Sequence, residues 1–362
     1  MASFLTGLRL ADWRRLLREN APAVDWPFVP KAAAITLATA ATSLLARLEP
    51  VPQLTPGQAD AWEQPIFVLG LPRSGTTLLQ GLLALNPEAA YASRLDCFNP
   101  HTFLLLRRLG AAWLVGRLPR WARGIDNVQV GWLTPDEDEF ALTVLTVDGP
   151  WLGAAFPRSV RRFKQRCPVN PDWNGRASWQ SALATFTRKL VSLHDRPLVL
   201  KSPLHMMRIP DILAVFPKAR FVTIFRDPRD QMRSVNSVTR QSHAWPSLQS
   251  VRQPAEQAHE FNRVLLERYF ETRHQIDPDR LLEIEYEGLV AAPHETLRRI
   301  HDRLHIPGLT AVLSRFDADP AWLGYRRNTH QPLSDSEVKQ MTRRFATLFQ
   351  AGYYREVVDA AR

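Results

Sequence analysis

The chain has 362 residues, 45% hydrophobic and 23% charged, enough apolar content for a large core, which excludes a disordered, collagenous or disulfide-scaffold protein. Its net charge is +10, carried by 40 Arg and 6 Lys against 36 acidic residues. Arg offers bidentate contacts to phosphate and sulfate, so the balance favours anionic ligands without separating nucleotide, nucleic acid and lipid head group, and the two cysteines, Cys97 and Cys167, are too few and too far apart for a zinc site.

In chain order, residues 1–48 read as helical, ahead of a Pro-rich connector at Glu49–Pro56. The opening apolar run is too short for a secretory signal, and charge follows it at once. Ala32–Ala46, mostly Ala and Thr, falls short of the ~20 apolar residues a membrane span requires and is expected to form an amphipathic or buried helix. Peripheral membrane contact stays open, no integral span is expected, and the chain reads as cytoplasmic. Pro65–Gly70 (PIFVLG) is a short apolar run closed by Gly and Pro, as in a strand buried on both faces. A helix should start near Thr76 and run to about Leu85, where Asn86–Pro87 stops it. Pro197–Lys201, Arg220–Phe225 and Arg280–Glu287 repeat the strand pattern, each with a helical stretch behind it, the last over Pro293–His305. This alternation predicts an α/β fold with a parallel sheet flanked by helices. Residues 88–196, between the first two strands, read as a large helical insertion suited to wall an acceptor pocket. The expected organisation is an N-terminal helical extension over 1–60 and a single domain over 61–362.

Gly70–Leu83 (GLPRSGTTLLQGLL) sets a Gly-bounded turn between strand and helix, the arrangement whose backbone N–H groups and helix N-terminus cradle phosphate. Against the Walker pattern G-x-x-x-x-G-K-[ST], Gly70, Gly75 and Thr77 fit. Thr76, however, stands at the lysine position, and the cation moves into the loop at Arg73. The next two strands end in Lys201 and Arg226, neither a metal ligand. Arg73, Lys201 and Arg226 should converge at the carboxyl ends of the strands, where open α/β sheets bind ligands, and neutralise an anionic nucleotide without a metal. Pro228 suits a helix start, and Ser234 then falls nearly two turns in, able to face back toward the loop.

Together, PxxRSGTT after a strand and the later strand–R-x₇-S element resemble the sulfotransferases that use 3′-phosphoadenosine-5′-phosphosulfate, in particular the bacterial branch related to tyrosylprotein sulfotransferases. LKSPLH (Leu200–His205) and YEGLVAAP (Tyr286–Pro293) resemble that branch too, and the likeness runs in order over about Pro65–Leu304. It implies a P-loop nucleotide-kinase-like fold, 3′-phosphoadenosine-5′-phosphosulfate as donor co-substrate and no metal. It implies that Arg73, Ser74, Gly75, Thr76 and Thr77 bind the 5′-phosphosulfate, and Arg226 and Ser234 the 3′-phosphate. Arg326 and Arg327, in YRRNTH, stand where cytosolic sulfotransferases have a basic loop over the 3′-phosphate. Transfer would be an in-line displacement in which Arg73, Lys201 and the loop amides stabilise the migrating group.

An acceptor hydroxyl also needs a base within hydrogen-bond reach. The bacterial branch carries a Glu in W-E-x-x-x-P; here Leu95–Pro100 (LDCFNP) puts Asp96, one methylene shorter, at that position, and Asp96 is the first choice. His205 is the second, although the His of cytosolic members falls on Pro203. Asp136, Glu137, Asp138 and Glu139 form the third candidate group, at a helix start where carboxylates are favoured in any protein. Trp245 could cover the acceptor or simply pack in the core. The acceptor is expected to be a small or lipid-like hydroxylated molecule, an amine being the alternative; no nucleic-acid module is present. Two other classes fit parts of the pattern. One is a nucleotide kinase or NTPase with Glu283 or Glu285 on a metal; the other is a catalytically inactive nucleotide-binding protein of the same fold.

Overall fold

Three largely apolar runs, Ile66–Leu69, Leu198–Lys201 and Arg220–Phe225, make the centre of the molecule. The structure is a computed structural model that describes residues 3–122, 128–165, 173–241, 246–251, 255–323, 331–354 and 356. Its strands are β1 Ile66–Leu69, β2 Ala90–Tyr91, β3 Trp121–Ala122, β4 Gln129–Val130, β5 Leu198–Lys201, β6 Arg220–Phe225 and β7 Leu281–Glu285. Five of them form one sheet in the order β2-β5-β1-β6-β7, every pairing parallel, with Phe67 opposite Leu200 on one side and Phe221 on the other. β1, β5, β6 and β7 are the four expected strands. The edge strand β2 and the antiparallel β3–β4 pair were not expected, and they break the helical run of the insertion. Each is two residues long, too short for periodicity to register.

Side chains along the strands alternate between two apolar clusters. Phe67, Leu69, Leu198, Leu200 and Phe221 enter one, while Ile66, Val68, Val199, Val222 and Ile224 enter the other. Both faces are therefore covered, as a parallel sheet requires. On the first side the helix Arg176–His194 contributes Trp179, Leu183, Phe186 and Leu190. On the second, Leu78, Leu79, Leu82 and Leu83 come from the helix that follows β1. Each fully buried Leu or Phe is worth about 1.5–3 kcal/mol, so these two layers dominate the stabilisation.

At the N-terminus, α1 (Leu10–Glu19) packs beside α2 (Val29–Leu45). Phe4, Leu5, Trp13 and Leu16 join the same cluster as Phe67 and Leu200, which ties the first segment into the core. α2, expected to be an amphipathic or buried helix, is not buried, and it turns apolar residues outward. Its buried residues are Ile35, Thr39 and Thr42, whereas Leu37 is 75% and Leu44 64% exposed. With the preceding turn, Trp26–Leu45 is by length and composition alone long and apolar enough to cross a membrane, at mean hydropathy 1.4. After α3 (Pro56–Glu63) and β1 comes α4 (Thr76–Leu83), and after β2 comes α5 (Arg94–Phe98). The carboxyl ends of β1, β5 and β6 thus bring the Gly70–Gly75 turn, Lys201 and Arg226 to one edge of the sheet.

Candidate active site

The turn after β1 is built on two glycines. At Gly70 a Cβ would lie 2.7 Å from the Ile224 carbonyl oxygen on β6. Gly75 has φ +100°, and a Cβ there would meet the Tyr286 ring at 2.4 Å, so both conformation and space demand glycine. The Ser74 N–H closes the turn on the Leu71 carbonyl at 3.1 Å. Arg73 has φ +72°, a region that non-glycine residues visit rarely. In that conformation its Nε donates to Ser234 Oγ at 3.0 Å, across 161 residues of sequence.

Arg226 leaves the end of β6 and completes the link. Its Nη1 donates to the Arg73 carbonyl at 3.2 Å, and its guanidinium lies 4.7 Å from the centre of the Tyr286 ring. Gln231, on the helix Pro228–Gln241, donates to the Pro72 carbonyl at 2.8 Å. The two anion-binding segments expected from the sequence are therefore one structure. Within it, Ser74 Oγ and Arg226 Nε are buried and have no hydrogen-bond partner among the described residues. An orphaned buried polar atom costs about 1–3 kcal/mol. Two guanidiniums, loop hydroxyls and a helix N-terminus form a donor set suited to phosphate or sulfate, which would satisfy both atoms.

On the β5 side, four consecutive carboxylates each take a different basic partner. Asp136 Oδ2 accepts from Arg94 Nε at 2.6 Å. Glu137 Oε1 accepts from Lys201 Nζ at 2.8 Å. Asp138 meets His205 Nε2 at 2.7 Å and also accepts the Lys201 backbone N–H at 2.8 Å. Glu139 pairs with buried Arg208. Burial acts to raise the Asp138 carboxyl, but the charge and hydrogen bond of His205, together with the Lys201 amide, hold it below the ordinary carboxylate range. For Glu139 burial wins over Arg208, and its carboxyl is pushed up. Lys201 Nζ also reaches Thr77 Oγ1 at 3.5 Å, which joins the acidic run to the loop.

Of these acids, Glu137 alone lines a cavity of about 320 Å³ whose walls include Arg73, Thr76 and Thr77 and apolar Trp151, Leu204, Val235 and Phe261. Its Oε2 is buried and has no hydrogen-bond partner among the described residues. A second cavity, about 350 Å³, also reaches Thr77 and continues past Gly81 to Trp322, but Glu137 does not line it.

Residues 65–310 match the profile of the sulfotransferase family. The chain belongs to the sulfotransferase family. Two mycobacterial relatives, the omega-hydroxy-beta-dihydromenaquinone-9 sulfotransferases of Mycobacterium bovis and Mycobacterium tuberculosis, are each 28% identical to it, over 91% of this chain and 86% of theirs. The protein-tyrosine sulfotransferase of Drosophila melanogaster is 26% identical over 68% of this chain and 39% of its own. The crystal structure of a sulfotransferase from Mycobacterium avium shares the fold, with a TM-score of 0.65 at 20% identity and coverage of 94% of this chain and 91% of that one. The protein is thus a sulfotransferase enzyme with a central parallel sheet flanked by helices.

In this sulfotransferase Asp96 is placed differently from the expectation. Its carboxylate is fully buried and accepts from the Ser93 N–H at 3.0 Å, from Ser93 Oγ at 2.6 Å and from Arg107 Nε and Nη2 at 2.7 and 2.8 Å. Ser93 and Asp96 form the capping box of α5, and Asp96 does not line the cavity of Glu137. His205 is also fully buried, spends Nε2 on Asp138 and sits edge-on to Phe67 at 5.2 Å; it holds the acidic run in place and does not face the cavity. The carboxylate of Glu283 is taken up by Tyr269, Arg273 and Tyr353 at 2.5–2.8 Å, an arrangement that leaves it no role on a metal. Arg326, Arg327 and Trp245 lie outside the described residues. The apolar wall residues Trp151 and Phe261 carried no motif, and only the fold brings them to the cavity.

Proposed function

We propose that this sulfotransferase moves the sulfuryl group of 3′-phosphoadenosine-5′-phosphosulfate to a hydroxyl of a lipid-like acceptor, with Glu137 as general base. One observation carries the reading. Glu137 holds Lys201 with one oxygen, keeps the other buried without a hydrogen-bond partner among the described residues, and lines an apolar cavity together with Arg73 and Thr77. In this reading Arg73, Ser74, Gly75, Thr76 and Thr77 bind the phosphosulfate, and Arg226 and Ser234 the 3′-phosphate. Glu137 takes the acceptor proton as the acceptor oxygen bonds to sulfur and the bond from sulfur to the phosphate oxygen breaks. The products are the sulfate ester, 3′-phosphoadenosine-5′-phosphate and a proton. Arg73 and Lys201 meet the negative charge that grows on the leaving phosphate, and the chemistry draws on no metal.

The apolar walls around Trp151, Leu204 and Phe261 suit a hydrocarbon chain. The mycobacterial relatives, named for a hydroxylated menaquinone derivative, support an acceptor of that class. The test is transfer from ³⁵S-labelled donor in EDTA to an ω-hydroxylated isoprenoid, a long-chain alcohol, a tyrosine peptide and a sugar. Label in the two apolar acceptors is expected. Label confined to the peptide or the sugar would overturn the acceptor class, and none with any acceptor would overturn the transfer itself.

A further inference from the structure

α2 presents to solvent the side that a helix in water buries. Pro30, Ala33, Leu37, Ala41 and Leu44 recur at three- and four-residue spacing on its outer face, all exposed. Beyond the end of α2, Leu48 and Val51 are 69% and 91% exposed, and Trp26, ahead of its start, is 85% exposed. No charged residue occurs between Lys31 and Arg47. The hydroxyls face inward and hold the helix to the protein. Trp13 Nε1 donates to Thr36 Oγ1 at 2.9 Å, the Leu10 N–H to Ser43 Oγ at 2.7 Å, and Thr42 Oγ1 to the Thr6 carbonyl at 3.1 Å. An amphipathic helix at a water boundary has the reverse arrangement. Because its polar side is bonded to the globule, α2 has one face to offer to an apolar medium and would lie along it rather than cross it.

The surroundings carry the complementary charge. Arg9, just ahead of α1, and Arg14 and Arg18 on α1, which packs beside α2, are exposed, and Arg47 is exposed just past the end of α2. Glu49 accepts the N–H groups of Leu104 and Leu105 at 3.1 and 2.9 Å, and about 6 Å of helix beyond Leu105 a second exposed apolar group begins. It comprises Leu109, Trp113, Leu114 and Leu118, each at least 53% exposed, with exposed Arg108, Arg117 and Arg120 among them.

We propose that the outer face of α2 and the Leu109–Leu118 group dock this enzyme on an anionic bilayer, the apolar side chains entering the boundary between head groups and acyl chains and the arginines meeting lipid phosphates. The inference goes beyond the acceptor reading and stands without it, since none of the residues it rests on lines the cavity of Glu137. A lipid acceptor would then be met at the surface that holds it.

The test is flotation of the whole protein with phosphatidylglycerol–phosphatidylcholine vesicles, without donor or acceptor, so that its failure is separate from any failure of the transferase reading. Co-flotation is expected, and it should weaken at least about tenfold on pure phosphatidylcholine. The double variants Leu37→Glu/Leu44→Glu and Trp113→Glu/Leu114→Glu should each lose a similar factor while binding 3′-phosphoadenosine-5′-phosphate as the wild type does, which reports that they fold. A wild-type protein that stays with the pellet, or variants that float equally well, overturns the proposal. So does a dimer in analytical ultracentrifugation that Leu37→Glu/Leu44→Glu disperses, because a second copy would then occupy the face.

Discussion

Replacing Glu137 with Gln separates the chemistry of the carboxylate from its place in the scaffold. Gln has nearly the same volume, and its carbonyl oxygen can still accept from Lys201 Nζ, which lies 2.8 Å from Oε1 in the native chain. The second oxygen, the one without a partner, becomes an amide that cannot take a proton from an acceptor hydroxyl. General-base assistance is worth about 10²–10⁴ in rate, so kcat should fall by that factor, or about 2.7–5.5 kcal/mol of barrier. Arg73, Arg226 and Ser234 are untouched, and affinity for 3′-phosphoadenosine-5′-phosphate should stay at the native value. The assay is single-turnover sulfuryl transfer with saturating donor, beside thermal melting. Asp96→Asn is the informative contrast, because it weakens the capping box of α5 and the 2.7 Å pair with Arg107. A lost cap costs about 1 kcal/mol and a broken buried pair up to about 3–5 kcal/mol, so this variant should melt earlier and keep its turnover per folded molecule. Full turnover in Glu137→Gln, or abolished turnover in an Asp96→Asn protein that melts like the native one, would refute the assignment.

Three further outcomes follow from the same geometry. Gly75→Ala would drive a methyl into the Tyr286 ring, 2.4 Å away, at φ +100°, and should weaken nucleotide binding by calorimetry at least about tenfold; unchanged affinity contradicts the packing argument. Arg208→Met leaves the buried Glu139 without its cation and should lower stability in urea by about 3–5 kcal/mol, part of which Arg208→Met/Glu139→Gln restores; a loss under about 1 kcal/mol contradicts it. Burial first, then nearby cationic side chains, holds His101 and His259 down to about 4, from the ordinary 6.5. Between those two values the unfolded chain takes up protons that the folded chain refuses, so stability falls as the pH drops from 6.5 toward 4. His259→Gln should flatten that fall in denaturant titrations at several pH values, and an unchanged slope would show that His259 contributes nothing to it.

How much of this was legible depended on whether a feature is local. β1, β5 and β6 could be read because each is a largely apolar run fed into a sheet covered on both faces, whereas β7, an edge strand that carries Glu283 and Glu285, was readable from its place ahead of a helical stretch. β2 could not, since Ala90–Tyr91 is a strand only through its pairing with Leu198 and Val199. The apolar character of α2 was plain in its composition, but its orientation is set by hydroxyl bonds to Thr6, Leu10 and Trp13, distant partners that no periodicity reveals. The loop and the Arg226–Ser234 element were readable as motifs, and the bond from Arg73 to Ser234 joins them. The proposed base is the reverse case. Ser93-x-x-Asp96 is itself a capping-box signature and was legible as one, whereas nothing in DEDE distinguishes Glu137 from its neighbours. Only the separate pairing of each acid with Arg94, Lys201, His205 or Arg208 leaves Glu137 at the cavity wall.

Arg73, Ser74, Arg226 and Ser234 are proposed to form one metal-independent site for a nucleotide with two separated anionic groups. The most direct test is calorimetric titration of the protein with 3′-phosphoadenosine-5′-phosphate in EDTA, beside ADP and beside the Arg226→Ala variant. Charge-assisted hydrogen bonds of the kind Arg226 would supply are worth about 1.5–3 kcal/mol. One-to-one binding of the bisphosphate is expected, weakened by roughly ten- to a hundredfold for ADP and for the variant. Equal affinity for ADP and the bisphosphate, or uptake only of ATP with Mg²⁺, would contradict the proposal.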